Sequence, residues 1–190
     1  MDKAKQLLRG EIVATRKAMP PSVRVSAAAA LTDLLLSVPE VAKASTVAAY
    51  VSVGTEPDTA AILAALRSRG AVVLLPILRP DFDLDWAAYV GMHALAAGSR
   101  GLREPTGTRL GSDAAKTADA ILVPALAVDH KHGHRLGRGG GAYDRVLARA
   151  GADTFTCALV YDGELRDDIP VEPHDHPVAA AATPSGLSRF

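Results

Sequence analysis

A segment rich in glycine and arginine, residues 135–143, has the composition best suited to chemistry on a phosphorylated ligand. It reads Arg-Leu-Gly-Arg-Gly-Gly-Gly-Ala-Tyr, and it follows a loop that begins after the apolar run Ala120–Val123. Glycines, which lack a Cβ, let backbone N–H groups close around an anion. A helix that begins directly after them adds the positive end of its dipole. Arg135, Arg138 and Arg145 lie around these glycines, and guanidinium groups can bind phosphate through two hydrogen bonds. We therefore predict a polyphosphate cradle.

Two familiar phosphate-binding motifs do not describe this glycine-rich segment. No Lys-Ser/Thr pair follows its last glycine, so it is not a Walker A loop. The spacing Gly137-x-Gly139-x-Gly141 does not match a dinucleotide-binding fingerprint. The alternative interpretation is a flexible surface turn.

Carboxylates and histidines near the segment raise the question of a metal. Asp144 follows the glycines and could hold Mg²⁺ against phosphates, because Mg²⁺ usually takes one or two carboxylates plus substrate phosphates. Alternatively, it is a first-turn acid favoured by the helix dipole. Alternating histidines could bind Zn²⁺, but they lie on polar loops without a cysteine nearby, so we expect exposed loop residues. These histidines are His130, His132, His134, His174 and His176.

Three further positions could contribute to a site. Lys5 and Arg9 are four residues apart, share one face of a predicted helix and could point together at an anion; a solvated basic face is the alternative. Glu56 follows a predicted strand and could bind an amine-bearing ring or position a proton, or it could be an N-terminal helix acid. Trp86 and Tyr89 could line a slot for a flat ring, or pack in the core.

The elements that must position these residues alternate between apolar strands and helices. Apolar residues make up 48% of the 190 residues, and 21 basic residues balance 21 acidic ones, so no overall charge favours nucleic acid or a membrane surface. Predicted helices are 2–18, 22–36, 59–69 and 142–150, and predicted strands are 46–52, 71–78, 84–90, 120–123, 155–160 and 178–182. Continuous apolar strands between helices favour an α/β fold with a mainly parallel sheet.

The remaining features describe a single unit in a reducing compartment. Residues 1–190 are predicted to form one domain, with a flexible tail after Pro184. The single cysteine, Cys157, lies in an apolar run and is predicted to be a buried thiol, which suits the cytoplasm. The N-terminus does not resemble a signal peptide, and no apolar run is long enough to span a bilayer.

Several motifs, in this order along the chain, resemble those of the 5-formyltetrahydrofolate cyclo-ligases, also called methenyltetrahydrofolate synthetases. The glycine-rich segment with Tyr143-Asp144-Arg145 resembles their ATP-binding segment. The other matching stretches are Lys5–Arg9, Tyr50–Thr59, Leu74–Pro76, Gly101–Pro105 and Ile169–Asp175. The resemblance implies a Rossmann-like α/β domain that is flanked by helices.

The resemblance also implies an activity and a set of site residues. The reaction is ATP + 5-formyltetrahydrofolate → 5,10-methenyltetrahydrofolate + ADP + phosphate, with Mg²⁺, and no nucleic-acid or membrane partner; we expect a monomer. Arg138 and Tyr143 are the implied catalytic residues, and Asp144 and Asp175 the implied Mg²⁺ ligands. Substrate-binding residues are Val51, Glu56, Trp86 and Tyr143. ATP-binding residues are Lys5, Gln6, Leu7, Leu8, Arg9, Arg135, Leu136, Gly137, Arg138, Gly139, Gly140, Gly141, Ala142 and Tyr143.

Three departures from the family pattern leave other functions open. Ala142 replaces the usual aromatic residue, Glu164 stands where glutamine is common, and the loop 129–133 is one residue longer. A nucleotide-binding regulatory module with a degenerate folate site is therefore an alternative. A sugar-phosphate isomerase is a further alternative, suggested only by analogy of fold.

Overall fold

A seven-stranded, mainly parallel sheet organises the chain. The computed structural model describes residues 3–190. The strands of this sheet lie in the order β12-β11-β9-β6-β1-β2-β3. Their bounds are β1 Thr46–Ala48, β2 Val72–Leu78, β3 Leu84–Ala88, β6 Ala120–Pro124, β9 Phe155–Leu159, β11 Ala180–Thr183 and β12 Gly186–Arg189. All pairs are parallel except the two edge pairs, β2 with β3 and β11 with β12. The predicted fold class is confirmed.

Five helices and two small sheets complete the fold. The helices are α1 Lys3–Ala18, α2 Pro21–Ser37, α3 Pro39–Ala42, α4 Ala60–Ser68 and α5 Ala142–Arg149. The small sheets are a hairpin of β4 Leu95–Ala97 and β5 Arg103–Pro105, and a three-stranded sheet of β7 Ala127–Asp129, β8 Arg135–Leu136 and β10 Leu165–Arg166. Short 3₁₀ helices cover Met92–Ala94, Ser99–Gly101 and Ala114–Thr117. None of the helices within residues 3–190 is both long and apolar enough to cross a membrane.

Helices bury both faces of the main sheet, as the continuous apolar strands require. On one face, leucines of α2 and α4 pack against β1, β2 and β9. On the other, Val146 and Leu147 of α5 pack against β6 and β9 in a core that includes Trp86. Helix α1 lies on the small sheet instead, where Leu8 and Ile12 contact Leu126 and Leu136. This contact places the polar face of α1 next to the glycine-rich segment.

Most predicted elements are found within a few residues of their predicted bounds, with two exceptions. The strand predicted over 46–52 ends at Ala48, and the chain from Ala49 onward turns towards the site. The tail after Pro184, predicted to be flexible, is paired instead: Gly186–Arg189 form the edge strand β12 against β11. The start of the first predicted helix at Asp2 lies outside the described residues.

Candidate active site

A cavity of about 710 Å³ lies at the carboxyl ends of the parallel strands. Tyr50 and Val51 come after β1, Ala125 and Leu126 after β6, and Leu78 at the end of β2. Ligands of open α/β sheets bind at this edge. The glycine-rich segment, from Arg135 through Tyr143, lines the cavity together with Asp144.

The backbone of the glycine-rich segment follows a path that favours glycine. Gly139 has φ +93° and Gly141 has φ +65°, which are left-handed values that side chains with a Cβ rarely adopt. Helix α5 begins at Ala142, directly after them, so its N-terminal N–H groups and dipole face the same region. The segment therefore has the backbone of an anion-binding loop.

Two guanidinium groups hold this segment and retain hydrogen-bonding capacity. Arg9 donates from Nε to the carbonyl oxygen of Gly137 at 2.8 Å, while its Nη1 is buried without a partner. Arg135 is buried and donates from Nη2 to Asp144 at 2.9 Å, while its Nε has no partner. Burial lowers the pKa of Arg135, although the charge of Asp144 opposes this. Unpaired buried N–H groups beside a glycine loop suit an anionic ligand, because leaving them unpaired is unfavourable.

The cavity also contains acidic groups near the glycine-rich segment. Lys5 is buried, and its ammonium donates at 2.6 Å to both Glu172 and Asp175. Glu172, His174 and Asp175 are the group of three potential metal ligands found within residues 3–190, with ligand atoms within 4.8 Å of one another. The hydrogen bonds of Asp144 fall on its Oδ1 and those of Asp175 on its Oδ2. Carboxylate oxygens of this kind fit Mg²⁺, which prefers hard oxygen ligands.

Glu56 connects the glycine-rich segment to the loop after β1. Its carboxylate accepts a hydrogen bond from the backbone N–H of Val53 at 2.8 Å and lies 2.9 Å from Nη2 of Arg138. Arg138 also donates to the carbonyl oxygen of Val53. The Glu56 side chain is 8% exposed and that of Arg138 is 62% exposed, so the guanidinium faces open space while the carboxylate is held.

Most predicted site residues line this one cavity. Those that do are Lys5, Arg9, Val51, Glu56, Asp144, Asp175 and all residues from Arg135 to Tyr143. The structure corrects the assignment of Trp86, which is fully buried in the core and does not line the cavity. Tyr89 is likewise a buried core residue.

Three residues of α1 that were predicted to bind ATP do not line the cavity. Gln6 and Leu7 are exposed away from the cavity, and Leu8 packs in the core beneath the helix. Residues four apart share one face of a helix, and Lys5 and Arg9 are the residues of α1 that line the cavity. Lys5 is not a free surface cation, however, because two carboxylates enclose it.

Several cavity residues were absent from the predicted site, among them two aromatic residues and two arginines. Tyr50 lies beside Val51; Phe82 comes from the turn between β2 and β3; Arg100 and Arg103 come from the β4–β5 hairpin. The motif at Tyr50–Thr59 contains Tyr50, and the motif at Gly101–Pro105 contains Arg103 and directly follows Arg100. No local pattern marks Phe82, because only the pairing of β2 with β3 brings its turn to the cavity.

Comparisons with known proteins agree along nearly the whole chain. The model of the 5-formyltetrahydrofolate cyclo-ligase family matches residues 1–184. A 5-formyltetrahydrofolate cyclo-ligase of Mycolicibacterium smegmatis is 43% identical over 187 residues, covering 96% of this chain and 94% of the relative. The Escherichia coli (strain K12) protein of the same name is 30% identical over 174 residues, covering 90% and 94%. The NMR structure of Aquifex aeolicus 5,10-methenyltetrahydrofolate synthetase aligns with a TM-score of 0.83 and 26% identity, covering 97% of this chain and 92% of that one.

Proposed function

The chain belongs to the 5-formyltetrahydrofolate cyclo-ligase family, and from this premise we propose that it converts 5-formyltetrahydrofolate to 5,10-methenyltetrahydrofolate with ATP and Mg²⁺. ADP and phosphate are the other products. As a cyclo-ligase it is an enzyme, so neither a regulatory module nor a sugar-phosphate isomerase is needed to explain its site. We place it in the cytoplasm as a monomer.

The observation that carries this proposal is the pair of guanidinium groups at the glycine-rich segment. Arg9 donates a hydrogen bond to this segment, Arg135 is its first residue, and each retains a buried N–H group without a partner. Together with the α5 N-terminus they form a site for the phosphates of ATP. The same cavity continues to Tyr50, Val51 and Glu56, which leaves room for a second substrate beside the phosphates.

The chemistry requires the formyl oxygen to become a good leaving group. Transfer of the γ-phosphoryl group to that oxygen forms a phosphate ester and releases ADP. Attack of N10 on the same carbon then closes the ring, the C–O bond breaks to release phosphate, and N10 loses its proton. The protein needs no covalent nucleophile for this sequence; its task is to position two substrates and stabilise the transferring phosphoryl group.

Arg138 and Tyr143 are the residues assigned to the reacting groups. Arg138, within the glycine-rich segment, lines the cavity with an exposed side chain, and its charge can stabilise the phosphoryl group during transfer. Burial raises the pKa of Tyr143 well above its ordinary value. Its hydroxyl therefore stays protonated at neutral pH, so it can donate a hydrogen bond but cannot serve as a base.

Asp144 and Asp175 would hold the Mg²⁺ ion, which supplies positive charge to the phosphates when bound. Each presents to the cavity a carboxylate whose hydrogen bonds fall on one oxygen. On the folate side, Glu56 is held by Val53 and Arg138 in a position to bind the ring of the substrate.

The proposed function is tested by following methenyl product and phosphate together with the purified protein. Both should form in equal amounts, and only when ATP, Mg²⁺ and 5-formyltetrahydrofolate are all present. Glu56→Gln should raise the KM for the folate and leave the KM for ATP unchanged. ATP binding without folate-dependent turnover would contradict the proposal, and a Glu56 variant altered only in its KM for ATP would contradict the site map.

A further inference from the structure

Two strained residues meet at the rim of the cavity. Phe82 has φ +63° and Arg100 has φ +56°, and within residues 3–190 they are the non-glycine residues in the left-handed region. The guanidinium carbon of Arg100 lies 4.5 Å from the centroid of the Phe82 ring. Residues with a Cβ adopt this conformation at an energetic cost, and such strain concentrates at functional sites. Both residues line the cavity.

The Phe82 turn is fixed by the helix that starts at the glycine-rich segment. Arg145 of α5 donates to the carbonyl oxygen of Phe82 at 3.0 Å, and Arg149 of the same helix forms two hydrogen bonds with Asp83, at 2.7 and 2.9 Å. The ring also lies close to the segment: a Cβ added to Gly140 would be 3.7 Å from Phe82 Cδ1. Phe82 therefore connects the glycine-rich segment to Arg100.

The Arg100 turn is fixed to the main sheet. Gly98 and Leu102 close the turn with a backbone hydrogen bond of 2.8 Å. Glu104, on β5, accepts a hydrogen bond at 3.0 Å from the backbone N–H of Leu78 at the end of β2. Arg100 is thus presented on a closed turn of a hairpin whose strand β5 is tied to β2 of the main sheet.

The basic residues that line the cavity fall into two groups. Lys5, Arg135 and Arg138 each have a carboxylate partner, and Arg9 is hydrogen-bonded to the glycine-rich segment. Arg100 and Arg103 also line the cavity, yet among residues 3–190 neither forms an ion pair with a carboxylate. Arg103 donates a hydrogen bond to the carbonyl oxygen of Met92, and the guanidinium of Arg100 lies over the Phe82 ring. The hairpin therefore carries two uncompensated cations on elements separate from the proposed phosphate site.

We propose that Phe82 and Arg100 select the p-aminobenzoyl-glutamate part of the folate substrate. This inference rests on the proposed function. ATP carries its negative charge on phosphates, for which Arg9, Arg135 and the glycine-rich segment are available. The folate carries its negative charge on the glutamate carboxylates, at the end remote from the formyl group. Arg100, with Arg103 beside it, binds those carboxylates, and the Phe82 ring packs on the aromatic ring that precedes them.

The test compares two substrates that differ only in the glutamate: 5-formyltetrahydrofolate and 5-formyltetrahydropteroate. Arg100→Asn removes the charge with a residue that tolerates the left-handed conformation. We expect this variant to raise the KM for 5-formyltetrahydrofolate about tenfold. The KM for ATP should not change, and wild type and variant should share one KM for 5-formyltetrahydropteroate. Arg100→Lys, which keeps a charge, should lie between wild type and Arg100→Asn.

Phe82→Leu gives an independent measure, because leucine is as strained as phenylalanine at this φ but lacks the ring. It should raise the KM for both folate substrates, since both contain the p-aminobenzoyl ring. Arg79→Asn is the matched control: Arg79 lies in the same turn as Phe82, is exposed, and does not line the cavity. Its kinetics should equal those of wild type.

Several outcomes would overturn the inference. Equal effects of Arg100→Asn on the two folate substrates would show that Arg100 acts through the shape of its turn. A raised KM for ATP would assign it to the nucleotide, and unchanged kinetics would remove it from the site. Failure of the proposed function is distinguishable, because the wild-type protein would then not turn over 5-formyltetrahydrofolate at all.

Discussion

The carboxylate of Glu164 receives the guanidinium of Arg16 in a buried ion pair whose two nitrogen–oxygen distances are both 2.7 Å. Arg16 also donates to the carbonyl oxygen of Ala125 at 2.8 Å, and Glu164 accepts a hydrogen bond from the backbone N–H of Tyr161. The pair therefore joins the end of α1 to the loop after β6, where Ala125 lines the cavity. Burial lowers the pKa of Arg16, but the hydrogen bonds and charge of Glu164 outweigh it, and the net pKa is raised.

We expect Glu164→Ala to lower the free energy of unfolding by about 3–5 kcal/mol, because it leaves a buried guanidinium unpaired. Glu164→Gln should cost less, since an amide oxygen still accepts a hydrogen bond. Urea unfolding measures both. The control is Glu11→Ala, which breaks an exposed pair with Arg166 and should cost no more than about 1 kcal/mol. Equal losses for the two alanine variants would contradict a structural role for the buried pair.

A side chain at Gly140 should interfere with ATP and not with folding. Its φ is not left-handed, and an added Cβ would meet only Phe82 Cδ1, at 3.7 Å, which is an ordinary contact. Gly140→Val should therefore raise the KM for ATP or abolish turnover, while the thermal unfolding midpoint stays near that of wild type. Gly10→Ala, which adds a Cβ with nothing within 4 Å, is the control and should leave the KM for ATP unchanged. Wild-type ATP kinetics in Gly140→Val would remove the segment from the phosphate site.

Local features of the fold could be predicted from the sequence, whereas contacts between distant residues could not. The strands β6 and β9 and the start of α5 were predictable, because apolar runs and glycines before a helix are local signals. The burial of Lys5 was not, since its partners Glu172 and Asp175 lie more than 160 residues away and face it only once the chain has folded. The burial of Trp86 was not predictable for a related reason, because the alternation of residues along β3 does not reveal which of its faces is covered.

The ion pair of Lys5 with Asp175 predicts how stability depends on pH. Burial raises the pKa of Asp175, but hydrogen bonds from Lys5 and from the backbone of Glu172 outweigh it, so the net pKa is below 3.8. The same carboxylates raise the pKa of Lys5 above 10.5 against the effect of burial. Asp175, whose pKa is lowered, stabilises the fold above the unfolded-state pKa of 3.8. This contribution disappears as the pH falls through the lower folded-state pKa. Lys5, whose pKa is raised, stabilises the fold fully below pH 10.5, and this contribution is lost as the pH rises through its folded-state pKa.

We therefore expect the wild-type protein to lose more stability than Lys5→Met when the pH is lowered from about 6 to about 3. Without the ammonium, the folded-state pKa of Asp175 moves towards or above the unfolded one, and less stability is tied to its ionisation. Urea unfolding of the ligand-free protein at each pH gives the free energy of unfolding, and its slope against pH is compared between the variants. Lys17→Met, at an exposed position of the same helix, should keep the wild-type slope. Parallel curves for wild type and Lys5→Met would contradict the pairing.

The role of Asp144 can be decided by the dependence of activity on Mg²⁺. If Asp144 binds the ion, Asp144→Asn should lower turnover, with partial recovery at high Mg²⁺. If it serves only the helix dipole, activity should survive and stability should fall by roughly 0.3–1 kcal/mol. Stability alone cannot separate the two, because Asp144 also neutralises the buried Arg135. Glu40→Gln, a first-turn acid of α3 remote from the cavity, is the control and should not change the Mg²⁺ dependence.

The last prediction concerns Arg9. Of the two basic residues of α1 that line the cavity, Lys5 is paired with two carboxylates and Arg9 is available to a ligand. Reversing the charge of Lys5 and Arg9 together would not test the helix, because a glutamate at position 5 would face Glu172 and Asp175 and destabilise the fold. Arg9 has no carboxylate partner within residues 3–190; it holds Gly137 with Nε and leaves Nη1 buried and unpaired. Occupation of that N–H by a phosphate oxygen would satisfy it.

Arg9→Gln should therefore weaken ATP binding by about tenfold or more, because a charge-assisted contact to phosphate is lost. Isothermal titration with ATP and Mg²⁺ gives the Kd, and the thermal unfolding midpoint reports whether the variant is folded. Lys17→Gln removes a charge from an exposed position of α1 outside the cavity and should bind ATP as wild type does. If Arg9→Gln is folded and keeps the wild-type Kd, α1 is part of the scaffold and the phosphate site consists of the glycine-rich segment with Arg135 alone.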